Sequence, residues 1–355
     1  MPDSTRSVLL GPLLKGVSRS FYLTLAVLPS GMRDPVGLAY LLARAADTIA
    51  DTSLIAPEKR LELLLSLRSQ VNGAPDPEML ARIESEVAIQ QKDSNEKVLL
   101  ESLRPALGLL AQLSDSDRDA VRQIVTTLTT GMEFDLRTFP NESSGRIVAL
   151  KEYSELDRYT YLVAGCVGEF WTKMTLAHVT AAFRDPAETM IERGVRFGKA
   201  LQMTNVLRDC AKDLRIGRCY LPAATLAQAG LTPQDLLQPE TSLPARPVLF
   251  EFLAKTLDHY RDAVEYTLAL PRSSIRLRLA CLWPICIGLK TLVLLAHNDR
   301  WLDPNNASKI RRTDVYRIMA SSAFVVSSNT MLRRWLERLI VQVHARRQIT
   351  ADRMP

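Results

Sequence analysis

The strongest constraint on this chain is the stretch Gly198–Pro222, GKALQMTNVLRDCAKDLRIGRCYLP. Wound as a helix, it places Gln202, Asn205, Asp209 and Asp213 on one narrow stripe. Met203, Val206, Leu207, Cys210 and Leu214 run beside that stripe as an apolar face that has to be covered. Two carboxylates and two amides therefore line the rim of a core. Carboxylates taken out of water are costly unless paired, hydrogen-bonded or bound to a cation. Oxygen ligands along a helix suit Mg2+, which takes one or two carboxylates and completes its shell with water and substrate phosphate.

Gly37–Asp51, GLAYLLARAADTIAD, repeats the arrangement. From Leu38 to Ala50 it is aliphatic except at Tyr40, Arg44, Asp47 and Thr48, the pattern of a helix buried nearly all round. Arg44, Asp47 and Asp51 nevertheless share one stripe. They form either a plain Arg–Asp pair or a metal–phosphate site. Spacing alone decides nothing, because Asp-x-x-x-Asp also occurs at Asp115/Asp119, Asp258/Asp262 and Asp299/Asp303. Such a pair is ordinarily a solvated helix face. The first starts a polar helix, the second lies beside Lys255 and Arg261, and the third, interrupted by Trp301 and followed by Pro304, reads as a helix end. Only the pairs in the two apolar helices have further polar partners on the same stripe.

With 47% hydrophobic residues, only 15 glycines in 355 residues and no long alternating pattern, the chain reads as all-α. A single domain over residues 1–355 is expected, a helical bundle around a central cavity. A Pro-rich insertion near 222–247 interrupts it and a basic amphipathic helix near 331–347 closes it. Two or three amphipathic helices occupy 57–113. Asp115–Phe139, Leu249–Leu270 and Arg276–His297 read as long helices. Glu155–Gly168 carries Tyr159 and Tyr161 among small residues, which allow close helix approach or room for a ligand. Ser18, before an apolar run to Leu28, fits an N-cap.

Five cysteines without a CxxC pair, and an N-terminus without signal-peptide character, point to a reducing, cytoplasmic setting. The four histidines form no HExxH, and neither GxGxxG nor a P-loop occurs. A net charge of +6 suits nucleic acid, anionic lipid or a polyanionic small substrate. No basic cluster carries stacking aromatics, so nucleic acid is not expected as a partner. Pro284 and Lys290 interrupt the apolar run Leu279–His297, which is not read as a membrane span. The last helix, with Arg333, Arg334, Arg338, Arg346 and Arg347, reads as a solvated face or as a loose, peripheral contact with a membrane surface.

Two acidic stripes facing each other across a cavity would hold a diphosphate through Mg2+, with Arg44 and Arg208 assisting. Metal and arginine take up the charge of a departing pyrophosphate. An apolar wall would shield a carbocation from water, so an allylic diphosphate on an isoprenoid chain is the expected substrate.

The segments SRSF at Ser18–Phe21, YLLARAADTIAD at Tyr40–Asp51, GMEFDL at Gly131–Leu136, YTYLVAGCVG at Tyr159–Gly168 and QMTNVLRDCAKD at Gln202–Asp213 resemble the squalene/phytoene synthase family, in order and over most of the chain. The resemblance implies an all-α isoprenoid synthase fold and head-to-head condensation of two prenyl diphosphates through a presqualene-type diphosphate. It implies that Asp47, Asp51, Asp209 and Asp213 bind Mg2+. Ser18, Arg19, Phe21, Tyr40, Arg44, Gln202, Asn205 and Arg208 would line the diphosphate and intermediate sites, and Tyr159 would assist proton removal in the first half-reaction. CLWPICIGLKTLVLL followed by SKIRR is more similar to the squalene synthases of the family, in which cations matching Lys309 and Arg311 hold the NADPH phosphate. That implies farnesyl diphosphate as substrate and squalene as product; a phytoene- or dehydrosqualene-type synthase needs no NADPH. A catalytically silent helical assembly factor is the reading from another class. Where squalene synthases often carry a further carboxylate before the last Asp of each motif, this chain has Ala50 and Lys212, which implies metal shells richer in water.

Overall fold

The computed structural model describes residues 2–18, 22–139 and 141–351. Helix dominates it, as the patterning predicts, and the described strands are two residues long. The chain forms two compact units, Met1–Arg137 with Lys173–Thr180, and Thr138–Thr172 with Ala181–Pro355.

In the first unit, α1 (Pro2–Val8) passes through a π-helical turn, Leu9–Leu13, into α2 (Leu14–Ser18). Pro12 inside that turn has no N–H for an α-helical ladder. Ser18 is the last residue of α2 and donates back to the Leu14 carbonyl at 2.5 Å, so it ends one helix and does not cap the next. α3 (Tyr22–Ala26) leads to α4 (Ser30–Asp51), which starts about two turns before Gly37 and runs through Pro35. Residues 57–113 hold more helices than expected: α5 (Pro57–Asn72), α6 (Pro77–Glu86), α7 (Ser94–Glu101) and α8 (Leu103–Ala111). Caps mark the starts of α6 and α7. The Asp76 carboxylate accepts from the Glu78 and Met79 amides, and Asp93 accepts from the Asn95 amide. α9 (Asp115–Thr138) is the single long helix predicted. α4 is the core element of this unit, packed against α2, α3, α5, α7 and α8.

In the second unit, α10 (Tyr153–Thr160) continues through a π-helical turn, Tyr161–Gly165, into α11 (Cys166–His178). α12 (Ala187–Arg215) follows. Then come β2 (Arg218–Cys219), pairing in parallel with β1 (Val148–Ala149), and α13 (Ala223–Gln228), after which 3-10 turns occupy the Pro-rich stretch. α14 (Arg246–Ala269), α15 (Ile275–Ala296), α16 (Arg312–Val325) and α17 (Asn329–Ala351) complete it. α15 is long and apolar enough to cross a membrane by length and composition, but most of it is buried, and it packs on α12, α14, α16 and α17 as a core helix. The five cysteines are all unpaired and buried.

The small residues near Tyr159 permit close helix approach. A Cβ on Gly168 would lie 1.8 Å from the Gly194 carbonyl oxygen, and one on Gly198 would lie 2.1 Å from that of Ala164. This contact sets the depth at which α12 seats its polar stripe. Gly198→Ala must push backbone from backbone, and a loss of about 1–3 kcal/mol is expected from overpacking. Urea denaturation measures it; an unchanged midpoint would show that the helices part there without cost.

Candidate active site

On α4 the stripe of Tyr40, Arg44, Asp47 and Asp51 reaches the surface, while Leu41, Leu42, Ala45, Ala46, Ile49 and Ala50 are buried around it. Arg44 donates from Nη1 to Asp47 at 2.5 Å and from Nη2 to Glu96 of α7. Burial works against the Arg44 charge, but Asp47 and Glu96 outweigh it and hold the guanidinium above its usual value. Its Nε is buried and has no hydrogen-bond partner. A buried donor of that kind is costly until an acceptor arrives, and a phosphate oxygen would serve. Burial, and next the Asp51 charge, push the Asp47 carboxyl up to about 6. Negative charge is thus crowded on this stripe beyond what Arg44 neutralises, the condition a bound cation relieves. The Tyr40 hydroxyl donates to the Val17 carbonyl at 3.4 Å, bracing α4 to α2. Ser18 is buried with its hydroxyl turned to Leu14. Arg19 and Phe21 lie outside the described residues.

On α12, Gln202, Asn205, Arg208, Asp209 and Asp213 are half-buried, and the predicted apolar neighbours Met203, Val206, Leu207, Cys210 and Leu214 are buried. Asn205 Nδ2 donates to Gln202 Oε1 at 3.3 Å. Arg208 grips Asp209 in a fork, Nε to Oδ1 at 3.0 Å and Nη2 to Oδ2. That bond is the chief reason the Arg208 pKa is raised. Each stripe therefore sets an arginine beside two carboxylates one helical turn apart. Ala50 is buried and Lys212 exposed, so neither adds an oxygen. Among the described residues no three His, Cys, Asp or Glu side chains form a metal-sized cluster. Each stripe offers a pair of carboxylates, the oxygen donors that Mg2+ takes together with water and phosphate.

The two tyrosines of the α10 segment differ. Tyr159 is buried, stacks on Tyr220 with ring centroids 4.8 Å apart, and donates its hydroxyl to that of Tyr220 at 3.3 Å. Phe139 meets Tyr220 edge-on at 5.0 Å. Tyr161 donates to Glu169 at 2.9 Å, and burial followed by that carboxylate pushes its phenol up to about 12. Lys309 and Arg311 are exposed ahead of α16 and have no acidic partner among the described residues.

The remaining Asp-x-x-x-Asp pairs are tied to arginines. Asp115 pairs with Arg118 and Asp119 with Arg122, at 2.6 and 3.8 Å. Asp258 pairs with Arg261 and Asp262 with Arg196, while Lys255 turns to Glu251. Asp299 is more than a helix end, since it receives the buried guanidinium of Arg246. Two residues of the site were missed from sequence. Glu96 lies in a polar run, SNEK, with no chemical signature; Tyr220 sits just past the acidic motif without a helical stripe to mark it.

The family model for squalene/phytoene synthase matches residues 14–314. The chain belongs to the squalene/phytoene synthase family. A bifunctional lycopene cyclase/phytoene synthase of Colletotrichum graminicola is 30% identical over 252 residues, 69% of this chain and 39% of that protein, so this family member spans about two-fifths of that relative's length. Squalene synthase of Cyberlindnera jadinii is 25% identical over 337 residues, 94% of this chain and 71% of that one. Among solved structures, the complex of TcSQS with the ligand BPH1237 superimposes with a TM-score of 0.76 at 21% identity, covering 98% of this chain and 99% of that chain. At that identity the likeness establishes the all-α fold.

Proposed function

We propose that this family member condenses two molecules of farnesyl diphosphate head to head through presqualene diphosphate and reduces the product to squalene with NADPH. The observation that carries the reading is the pair of stripes on α4 and α12, each with an arginine beside two carboxylates and flanked by buried apolar side chains. Mg2+ held by Asp47 and Asp51, and by Asp209 and Asp213, would neutralise those carboxylates and take up the charge of a departing diphosphate.

The remaining work falls to the chain's own groups. Arg44, with its buried Nε unpartnered, and Arg208 donate to diphosphate oxygens. Arg19, Phe21, Tyr40, Gln202 and Asn205 would position the substrate, while Ser18, turned to Leu14, would act only by ending α2. Tyr159, held by its stack on Tyr220, assists removal of the proton lost as the cyclopropane closes. Lys309 and Arg311 supply charge for the NADPH 2′-phosphate, and NADPH would supply the hydride.

The identity shared with a fungal phytoene synthase supports a second reading, a phytoene- or dehydrosqualene-type synthase that omits the reduction. Incubation with farnesyl diphosphate and Mg2+, with and without NADPH, separates the two. Squalene forming only with NADPH is the expected result. A conjugated triene formed regardless of NADPH assigns the second reading, and the same assay with a C20 diphosphate reports chain-length choice.

A further inference from the structure

α16 turns one face inward and leaves the other bare. Ile318 and Ser322 are buried, and Trp283 of α15 donates from Nε1 to Ser322 Oγ at 3.0 Å. Just past the helix end, the fully buried Arg278 donates from Nε to the Val326 carbonyl at 2.7 Å. The helix is thus pinned from behind. Outward stand Arg312, Tyr316, Arg317, Ala320, Ala323 and Phe324. At about 100° per residue, Tyr316, Ala320, Ala323 and Phe324 span roughly 100° of the helix surface, with Arg312 and Arg317 bordering that stripe on either side.

The stripe is unusual for a surface. Phe324 is 80% exposed and Tyr316 68%, on one helix face with only small residues between them. Its charge is one-sided as well. From Pro304 to Trp335 the sole acid is Asp314, against Lys309, Arg311, Arg312, Arg317, Arg333 and Arg334. Asp314 is engaged by Arg317 at 3.5 Å, and Arg333 by Glu265. Arg311 and Arg312 also stand at the N-terminal end of α16, where a cation opposes the helix dipole.

We propose that this face of α16 docks on an anionic lipid bilayer, with Tyr316 and Phe324 entering the interface and Arg312 and Arg317 meeting headgroup phosphates. Aromatics on one stripe with arginines at its borders are the composition of a helix lying in a membrane interface. A second copy of the chain fits less well. Two large apolar side chains fall far short of the ~800 Å² per partner of a stable interface, and a two-fold pairing would bring the arginine borders together. On the proposed reaction, such a surface gives a water-insoluble hydrocarbon a place to leave; the docking itself does not depend on that reading.

The test is co-sedimentation of the full chain with vesicles of phosphatidylcholine alone or with phosphatidylglycerol. Binding is expected only to the anionic vesicles, and it weakens as salt is raised. Phe324→Ser is expected to lower affinity about tenfold or more. Arg312→Gln and Arg317→Gln should each lower it about fivefold. Melting temperature and pyrophosphate release in vesicle-free buffer stay at their wild-type values in these variants. Because the readout is vesicle binding, failure of the proposed reaction leaves this result intact. Equal binding to neutral vesicles, or binding that survives Tyr316→Ser with Phe324→Ser, overturns the proposal. So does a loss that follows Arg334→Gln with Arg338→Gln on α17 instead, or a dimer in sedimentation velocity that Phe324→Ser dissolves.

Discussion

Asp209→Asn is expected to lower turnover on the order of a hundredfold to a thousandfold, the scale of losing one preorganised charge-stabilising group, while the fold stays intact. Asparagine keeps the shape and one oxygen, so the buried apolar flank of α12 is left unchanged. What is lost is the negative charge that Arg208 grips and that the proposed cation would need. The pair is about one-third exposed on both side chains, so its contribution to stability is small, about 0–1 kcal/mol. Pyrophosphate release from farnesyl diphosphate and a thermal melt measure the two effects separately. Asp258→Asn is the control. It has the same residue type and the same i, i+4 partner spacing, but its carboxylate lies in an exposed pair with Arg261, and wild-type rates are expected. Wild-type turnover in Asp209→Asn would remove Asp209 from the reaction.

That contrast marks what sequence can and cannot show. Which residues share a stripe is local arithmetic, so the polar rows of α4 and α12 and their buried apolar flanks are legible in the order of residues alone. The surroundings separated those two rows from the three arginine-bound pairs. Sequence does not reveal which distant side chain completes a charged group. Glu96 reaches Arg44 from another helix, and Tyr220 reaches Tyr159 from beyond α12. Neither contact leaves a periodic trace. Local chemistry also misled twice. Ser18 looked like a cap because serines before apolar runs usually are, but a π turn carries the preceding helix down to it. The helices of 57–113 were undercounted because Asp93 caps a helix start inside a run that carries no proline to mark the break.

Tyr159→Phe is expected to slow formation of presqualene diphosphate about a hundredfold, the lower end of what a positioned acid–base group supplies, and to slow its reduction much less. The substitution keeps the ring, so the 4.8 Å stack on Tyr220 survives and only the hydroxyl and its bond are lost. A neutral hydrogen bond of that kind contributes about 1 kcal/mol to stability, too little to unfold a chain of this size. Single-turnover assays on farnesyl diphosphate, and separately on supplied presqualene diphosphate, resolve the two half-reactions. Tyr220→Phe removes the partner but not the reacting hydroxyl. It should give a smaller loss confined to the first step. Tyr161→Phe is the contrast, because that phenol already serves Glu169 and is held at about 12, so both half-reactions should run at wild-type rates. If Tyr159→Phe slowed both half-reactions alike, its role would be packing against Tyr220, and the proton would have to leave by another group.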